Sequence, residues 1–174
     1  KELLSGLGIC YEVKTLPGIE ESYPDTLSGE EIPVFIACEK ADAYRQTMHS
    51  DELIITADTI VWLDGLVMGK PEDEEDARRM LRCLSGKTHQ VITGVCLTTT
   101  EFQKSFATVT DVTFAELTEE EIDYYVQKYK PMDKAGSYGI QEWIGFVGVE
   151  GITGSYFNVM GLPIQRLYKE LKKL

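Results

Sequence analysis

Two long β-rich stretches that follow each other directly, at about residues 88–99 and 102–114, constrain the fold of this chain most. Helical patterns stand on both sides of them. Apolar residues recur at helical spacing over 73–84, and the capping box Thr118-x-x-Glu121 opens another helix. Helices interleaved with strands, two of which are consecutive, favour an α/β fold with a mixed β-sheet and helices on its faces.

The first part of the chain predicts a strand, a loop and a long helix. Residues 9–15 alternate between apolar and polar side chains, which predicts a strand. Residues 17–29 are rich in Pro, Gly and Ser and are expected to form a loop. The capping box Ser28-x-x-Glu31 then predicts a helix that continues to about Gln46.

An apolar run that begins at Leu53 stops at Asp58, and the turn signal Asp64-Gly65 follows. This pattern predicts a strand to about Ala57 and then a hairpin that returns Lys70 beside Asp58. Functional residues gather where apolar strands end, because the loops there are carried on a rigid scaffold. A carboxylate and a lysine in this arrangement suit a site for phosphate and a metal ion. The structural alternative is that Asp58 caps a turn while Lys70 is solvated.

Two glycine-rich segments near the end of the chain are further candidates. In Asp133-Lys-Ala-Gly-Ser-Tyr-Gly-Ile-Gln141, small residues allow a ligand to approach the backbone, and Gln141 suits the planar edge of a nucleobase. A tight turn whose polar groups satisfy one another is the alternative. Residues 151–163 lead to a final helix that Pro163 begins, and one or two short strands are expected around 145–149.

The composition excludes some classes of partner. A net charge of -12 argues against non-specific binding to nucleic acid or to an anionic membrane surface. No run approaches the roughly 20 apolar residues of a membrane span, so no membrane association is predicted. The negative net charge still allows a nucleotide substrate, because a local cluster of Lys and Arg together with a metal ion can make the binding site positive.

The cysteines predict reduced thiols in a cytoplasmic protein. They are scattered through the chain and form no C-x-x-C pair: Cys10, Cys38, Cys83 and Cys96. Neither His49 nor His89 has the spacing of a zinc ligand. His89 is expected to stand at the start of a strand and to have a structural role. No repeat, low-complexity tract or linker interrupts the chain, which predicts a single domain over 1–174.

Over essentially its whole length the sequence resembles the Maf (septum-formation) family of nucleoside triphosphate pyrophosphatases. The motifs that carry the resemblance occur in the order of the family: Lys1-Glu-Leu-Leu, Gly18-Ile-Glu-Glu, Glu39-Lys-Ala, Ala57-Asp-Thr-Ile-Val, Gly69-Lys-Pro, Met80-Leu-x-x-Leu-Ser-Gly-x-x-His89, Thr110-Asp-Val-x-Phe, Asp133-Lys-Ala-Gly-x-Tyr-Gly-Ile-Gln141 and Gly154-Ser-Tyr-x-Asn-Val-x-Gly-Leu-Pro163.

The resemblance implies a cytoplasmic enzyme that cleaves a nucleoside triphosphate between the α and β phosphates. The products would be the monophosphate and pyrophosphate, and a divalent cation, Mg²⁺ or Mn²⁺, would be required. The implied fold is an elongated mixed sheet flanked by helices, related to inosine triphosphatase, and a homodimer is expected. The form of the Lys134 to Gln141 motif resembles the branch that acts on dTTP and UTP.

The resemblance also assigns roles to residues. Asp58 matches the catalytic base of the family and, with Glu20, the metal site. Glu20 is also expected to bind substrate. The same role is expected for five further matches, of which Thr59 and Gln141 stand at positions linked to base preference: Lys40, Thr59, Lys70, Lys134 and Gln141.

One element of the family pattern is not found. A Ser-x-Ser-Pro-Arg-Arg loop, which binds anions at a helix N-terminus, stands in the family just before the helix that here starts at Lys1. We therefore expect that residues precede Lys1 in the protein. Two alternative functions stay open at this point: a house-cleaning pyrophosphatase for non-standard nucleotides such as ITP, and a non-catalytic nucleotide-binding regulator of cell division.

Overall fold

A computed structural model describes residues 2–174 of the chain. Within them, helices and strands alternate along most of the sequence, as the α/β prediction requires. The elements are α1 (Glu2–Ser5), α2 (Glu31–Arg45), β1 (Ile54–Leu63), β2 (Leu66–Met68), α3 (Glu74–Leu84), β3 (Thr88–Thr98), β4 (Gln103–Phe114), α4 (Glu119–Tyr129), a 3₁₀ turn (Ala135–Ser137), α5 (Trp143–Gly148), β5 (Val149–Thr153), α6 (Tyr156–Val159) and α7 (Ile164–Leu171).

The strands form one five-stranded sheet in the order β2-β1-β3-β4-β5. β1 pairs antiparallel with β2 through a hairpin whose two turn residues, Asp64 and Gly65, have φ angles of 51° and 80°. Positive φ at both central residues matches the twist of the flanking strands and explains the Asp-Gly pair. β4 pairs antiparallel with β5, for example at Val112 and Ile152. The α/β fold class with a sheet and flanking helices is confirmed.

The described residues divide into two compact units. The first unit contains residues 2–58, 93–108 and 161–174, and the second contains residues 59–92 and 109–160. Each has an apolar core of its own. In the first unit Val95, Leu97, Phe106 and Leu167 form the buried centre. The larger core of the second unit includes Leu81, Phe114, Tyr125, Ile144 and their neighbours. The single domain over 1–174 stays a prediction.

Helix α2 packs unusually closely against strand β3 in the first unit. Ala37 and Ala41 are fully buried on the inner face of the helix. A Cβ added to Gly94 of β3 would lie 2.3 Å from the backbone nitrogen of Val34. Because a glycine stands at position 94, the helix backbone reaches the strand directly. This contact fixes the position of α2, which carries Lys40.

The ends of α3 and α4 follow the local sequence signals. Asp73 caps α3 by accepting a hydrogen bond from the backbone N–H of Asp76 at 2.7 Å. At α4 the predicted capping box is present, since Thr118 and Glu121 exchange side chain to backbone bonds of 3.1 and 2.8 Å. These reciprocal bonds satisfy N–H groups that a helix start leaves without partners.

Besides the end of strand β1, which is described with the site below, three predictions about local structure are wrong. Helix α2 has Glu30, not Ser28, at its N-cap and no side-chain capping bond. Residues 9–15 have no regular secondary structure, and the hydroxyl of Tyr44 donates to the carbonyl of Lys14 at 3.1 Å. The segment around 145–149 is mostly helix α5, and the strand begins at Val149. Alternating polarity in so few residues does not provide the partner that a strand requires.

No helix among residues 2–174 combines the length and the apolar character that crossing a membrane requires.

Candidate active site

Asp58 lies in the middle of strand β1, not at its end. The predicted strand stops at Ala57, whereas the observed strand continues to Leu63. Residues after Asp58 are strongly strand-forming, and Ile60 and Val61 are buried, so they hold the strand together beyond the carboxylate. The Asp58 side chain is only 12% exposed. The carboxylate is therefore held by a rigid strand instead of a flexible loop.

Lys40 is the residue that meets this carboxylate. Its Nζ atom lies 3.3 Å from Oδ1 of Asp58 and 3.3 Å from the carbonyl oxygen of Ala57. The pairing is set by two elements of the first unit, because Thr56 of β1 donates from its hydroxyl to the carbonyl of Ala37 in α2 at 2.7 Å. That bond is buried and keeps α2 in register with the first half of β1.

A second carboxylate approaches the same ammonium from the loop before α2. Oε1 of Glu21 lies 3.1 Å from Nζ of Lys40, and the Glu21 side chain is 51% exposed. Lys40 itself is 21% exposed. Charges in such partly buried positions are screened less than charges on an open surface. The first unit therefore holds two carboxylates together through one cation, at a place that solvent reaches from the Glu21 side.

Glu20 is the neighbour of the residue that makes this contact. Its side chain is exposed in the loop between α1 and α2. The sequence motif offers two adjacent acids, and the structure brings the second, Glu21, onto Lys40. The acidic pair is visible in the sequence, but the family resemblance selects Glu20 alone, and only the path of the loop shows that Glu21 contacts Lys40. The role of Glu20 stays a prediction.

The donor atoms of this cluster suit a hard divalent cation. Mg²⁺ is commonly held by one or two carboxylates together with phosphate oxygens of the substrate. Asp58 and Glu21 supply two carboxylates that converge on one ammonium. No group of three or more His, Cys, Asp or Glu side chains that suits a metal ion occurs within residues 2–174. The cluster thus fits a cation that depends on the substrate for further ligands, and does not fit a site closed by protein alone.

A cavity of about 400 Å³ in the first unit adjoins Lys40. Ala57 and Tyr44 are among its lining residues, together with the segment 10–14. This volume lies within the range of small-molecule pockets. Lys40 is consequently accessible from the cavity as well as bonded to its two acids.

In the second unit, the segments of Lys70 and Gln141 are connected through the backbone. The N–H of Gly136 donates to the carbonyl of Gly69 at 3.1 Å, which places the residue before Lys70 against the Lys134 to Gln141 segment. Gly136 has a φ of 70°, and a Cβ there would lie 2.8 Å from Cγ2 of Val61. Gly136 thus permits a close approach to Val61 that a side chain would block.

The side chains of this second cluster differ in exposure. Lys70 and Gln141 are exposed, whereas Lys134 is 29% exposed, with its Nζ 3.4 Å from Oδ1 of Asp133. A Cβ at Gly139 would lie 2.8 Å from Cε of Lys134, so the lysine stem crosses directly over that glycine. Thr59, on β1, belongs to the same unit and is partly buried. The substrate-binding roles of these residues stay predictions.

Buried hydrogen bonds hold the segment that ends at Gln141. Tyr138 and His89 share a bond of 2.6 Å between the phenol oxygen and Nε2, and both side chains are buried. Tyr125 donates to Glu142 at 2.6 Å and accepts from the N–H of Gly139 at 3.1 Å. Sequence patterns do not show which of these residues bond to one another. They restrain the backbone on which Lys134 and Gln141 stand.

Burial sets the protonation of the residues that hold this segment. It lowers the pKa of His89 to about 4 and raises the pKa of Tyr138 above its ordinary value. The pKa of Tyr125 is raised by burial and by its hydrogen bond to Glu142. All three are therefore neutral near pH 7. His89 is thus a buried, neutral residue that bonds to the phenol of Tyr138, which agrees with the structural role predicted for it.

The family model described as "Maf-like protein" matches residues 1–174. The chain belongs to the Maf family. Curated Maf relatives cover nearly all of it. A dTTP/UTP pyrophosphatase of Phocaeicola vulgatus is 81% identical over 174 residues, which are 100% of this chain and 90% of the relative. A protein of the same name from Bacteroides fragilis is 71% identical over the same shares. The Porphyromonas gingivalis dTTP/UTP pyrophosphatase is 55% identical over 99% of this chain and 87% of its own length.

Proposed function

We propose that this Maf protein hydrolyses dTTP and UTP to the nucleoside monophosphate and pyrophosphate. The observation that carries the proposal is the contact of Lys40 with both Asp58 and Glu21. Two carboxylates and a cation provide the charges that phosphoryl chemistry needs. The printed names of relatives that are 81% and 71% identical support the choice of substrates.

The reaction requires a base, charge stabilisation and a leaving group. Asp58 accepts a proton from water as the water oxygen attacks the α phosphorus. The bond from the α phosphorus to the bridging oxygen breaks, and pyrophosphate leaves. The Lys40 ammonium offsets the charge that builds on the phosphate oxygens, and it also orients the Asp58 carboxylate through their 3.3 Å contact. Positioning and charge account for most of the rate in reactions of this kind.

A divalent cation, Mg²⁺ or Mn²⁺, is part of the proposal. Asp58 would hold it together with an acid of the Glu20-Glu21 pair. When bound, such an ion supplies positive charge to the phosphate oxygens. The family resemblance selects Glu20, whereas the contact between Glu21 and Lys40 supports Glu21 as an additional ligand. Isothermal titration of the Glu20→Gln and Glu21→Gln variants with Mn²⁺, in the presence of a non-hydrolysable analogue of dTTP, separates the two acids without any use of activity.

Four residues of the second unit are expected to take part in the recognition of the substrate. Lys70 and Lys134 would bind phosphate, whereas Thr59 and Gln141 would contact the base. Because Gln141 presents one amide donor and one acceptor, it matches the edge of thymine or uracil. We expect Gln141→Ala to lower kcat/KM for dTTP and UTP about tenfold or more, a scale set by the loss of one or two hydrogen bonds.

One assay tests the function. The full chain is incubated with Mg²⁺ and separately with dTTP, UTP, ITP and dCTP, and pyrophosphate release is measured. We expect release from dTTP and UTP to exceed release from the other two. Release from ITP alone would instead identify a house-cleaning enzyme. Saturable binding of nucleotides without any release would identify a non-catalytic regulator.

The remaining parts of the proposal concern the setting of the enzyme. We expect the protein to act in the cytoplasm on free nucleotides and to form a homodimer. Light scattering on the purified chain tests the dimer, for which twice the monomer mass of 19.6 kDa is expected.

A further inference from the structure

The thiols of Cys38 and Cys96 lie next to each other in the first unit, with 3.6 Å between their Sγ atoms. Cys38 stands on α2 and is half-buried, whereas Cys96 stands on β3 and is fully buried. The close packing of α2 on β3 at Gly94 brings the two sulfurs together. A disulfide requires about 2.05 Å between the sulfurs, so a small side-chain movement closes the gap.

The surroundings of the pair favour one thiolate. The hydrogen bond that Cys38 shares with Cys96 lowers the pKa of Cys38 to about 7, and Ser105 acts in the same direction. The pKa of Cys96 is raised by its bond to Cys38 and by burial. Cys38 is therefore the sulfur that loses its proton first, and it is also the one that solvent reaches. A thiolate that is partly accessible and has a second thiol beside it is the arrangement of an oxidant-sensitive cysteine.

We propose that Cys38 and Cys96 form a modification site at which hydrogen peroxide joins them in a reversible disulfide. The Cys38 thiolate attacks one oxygen of the peroxide, the O–O bond breaks, and Cys38 becomes a sulfenic acid while the released hydroxide takes up the proton that the thiol had lost and leaves as water. The Cys96 sulfur then attacks the Cys38 sulfur and expels the second water. Overall, two thiols and one peroxide give one disulfide and two waters, and the two electrons pass from the sulfurs to the peroxide.

The other two cysteines provide internal controls. Cys10 is exposed and Cys83 is half-buried, and the sulfur–sulfur contact described above belongs to Cys38 and Cys96. Exposure alone would make Cys10 the most reactive thiol, whereas the proposal assigns disulfide formation to the more buried pair. Comparing Cys10 and Cys83 with the pair therefore distinguishes the effect of a neighbouring thiol from the effect of solvent exposure.

Peptide mapping of the full chain gives a direct test. Trypsin cleavage after lysine and arginine places the four cysteines in separate peptides, namely 2–14, 15–40, 83–87 and 88–104. The protein is treated with hydrogen peroxide, alkylated and digested without reductant. We expect peptides 15–40 and 88–104 to appear joined, and to separate after treatment with dithiothreitol.

Two variants sharpen the result. In Cys10→Ser/Cys83→Ser, the count of free thiols is expected to fall from two to zero per chain and to return with dithiothreitol. In Cys96→Ser, the cross-link is lost and dimedone labels Cys38 as a sulfenic acid. The proposal is overturned if Cys38 and Cys96 stay alkylatable while Cys10 is oxidised in the same wild-type sample, or if the joined peptides contain Cys10 or Cys83. The wild-type map decides this even if a variant folds poorly.

Discussion

The ammonium of Lys40 lies 3.3 Å from Oδ1 of Asp58, so helix α2 and strand β1 each contribute one charge of a half-buried pair. Neither residue is positioned by a flexible loop. The helix is fixed by its contact with Gly94, and the strand by the bond between Thr56 and Ala37. The pair is therefore preorganised before any phosphate arrives, which is the condition under which charge stabilisation contributes most to the rate.

Replacement of this lysine should remove the charge with little change in the size of the side chain. We expect Lys40→Met to lower kcat for pyrophosphate release about 10²-fold, the scale for losing one preorganised donor. Lys169→Met, at an exposed lysine in the last turn of α7, is the control and should keep wild-type kcat. Equal kcat values for the two variants would remove Lys40 from the mechanism.

The approach of α2 to β3 predicts a large difference between two glycine substitutions. A Cβ at Gly94 would meet backbone atoms of Pro33 and Val34 at 2.3 to 2.6 Å, whereas a Cβ at Gly151 has nothing within 4 Å. We expect Gly94→Ala to lower the free energy of unfolding by about 2 kcal/mol or more. Gly151→Ala should change it by less than about 0.5 kcal/mol. Urea unfolding followed by circular dichroism measures both, and similar values for the two variants would contradict the packing described.

Glu170 predicts how stability depends on pH. Its buried carboxylate lies 2.6 Å from Nζ of Lys104 and 2.9 Å from Nε of Arg166. The hydrogen bond from Lys104, followed by that from Arg166, lowers the pKa of Glu170 to about 2. Because the pKa is lower in the folded state, the stabilisation is complete above the ordinary pKa of glutamate. This stabilisation is lost as the pH falls toward the pKa that Glu170 has in the folded state.

The corresponding experiment compares wild type with Glu170→Gln. We expect the variant to melt several degrees below wild type at pH 7. The difference should narrow steadily between about pH 4.5 and pH 2, since the unfolded carboxyl takes up its proton first. Thermal unfolding at each pH measures this. A difference that does not depend on pH would show that Glu170 acts through packing instead of charge.

The sequence predicts the elements whose signals are local. Asp73 and the Thr118 to Glu121 box fix helix starts through bonds within one turn, and Asp64-Gly65 fixes a turn through backbone conformation. The strand expected over 9–15 is not formed, because a strand does not depend on local signals alone. A strand needs a partner that is distant in sequence, and no local pattern supplies one.

The candidate site is predicted in part. Family motifs select Asp58 and Lys40, and the structure brings these two together. Motifs do not show that Glu21 contacts Lys40, because that choice depends on the path of the loop before α2. They also do not show that Gly136 bonds to Gly69, since this contact joins segments far apart in the chain.

The most direct test of the account compares Asp58→Asn with Asp64→Asn. Both residues belong to the β1–β2 hairpin, but Asp64 is 76% exposed at the turn, where asparagine tolerates the positive φ. Pyrophosphate release from dTTP and UTP is measured at saturating substrate for both variants, with unfolding curves to establish that each is folded. We predict that Asp58→Asn loses about 10²-fold or more in kcat, the scale for a general base, while Asp64→Asn equals wild type. A folded Asp58→Asn variant with turnover close to wild type would contradict the assignment of Asp58 as the base.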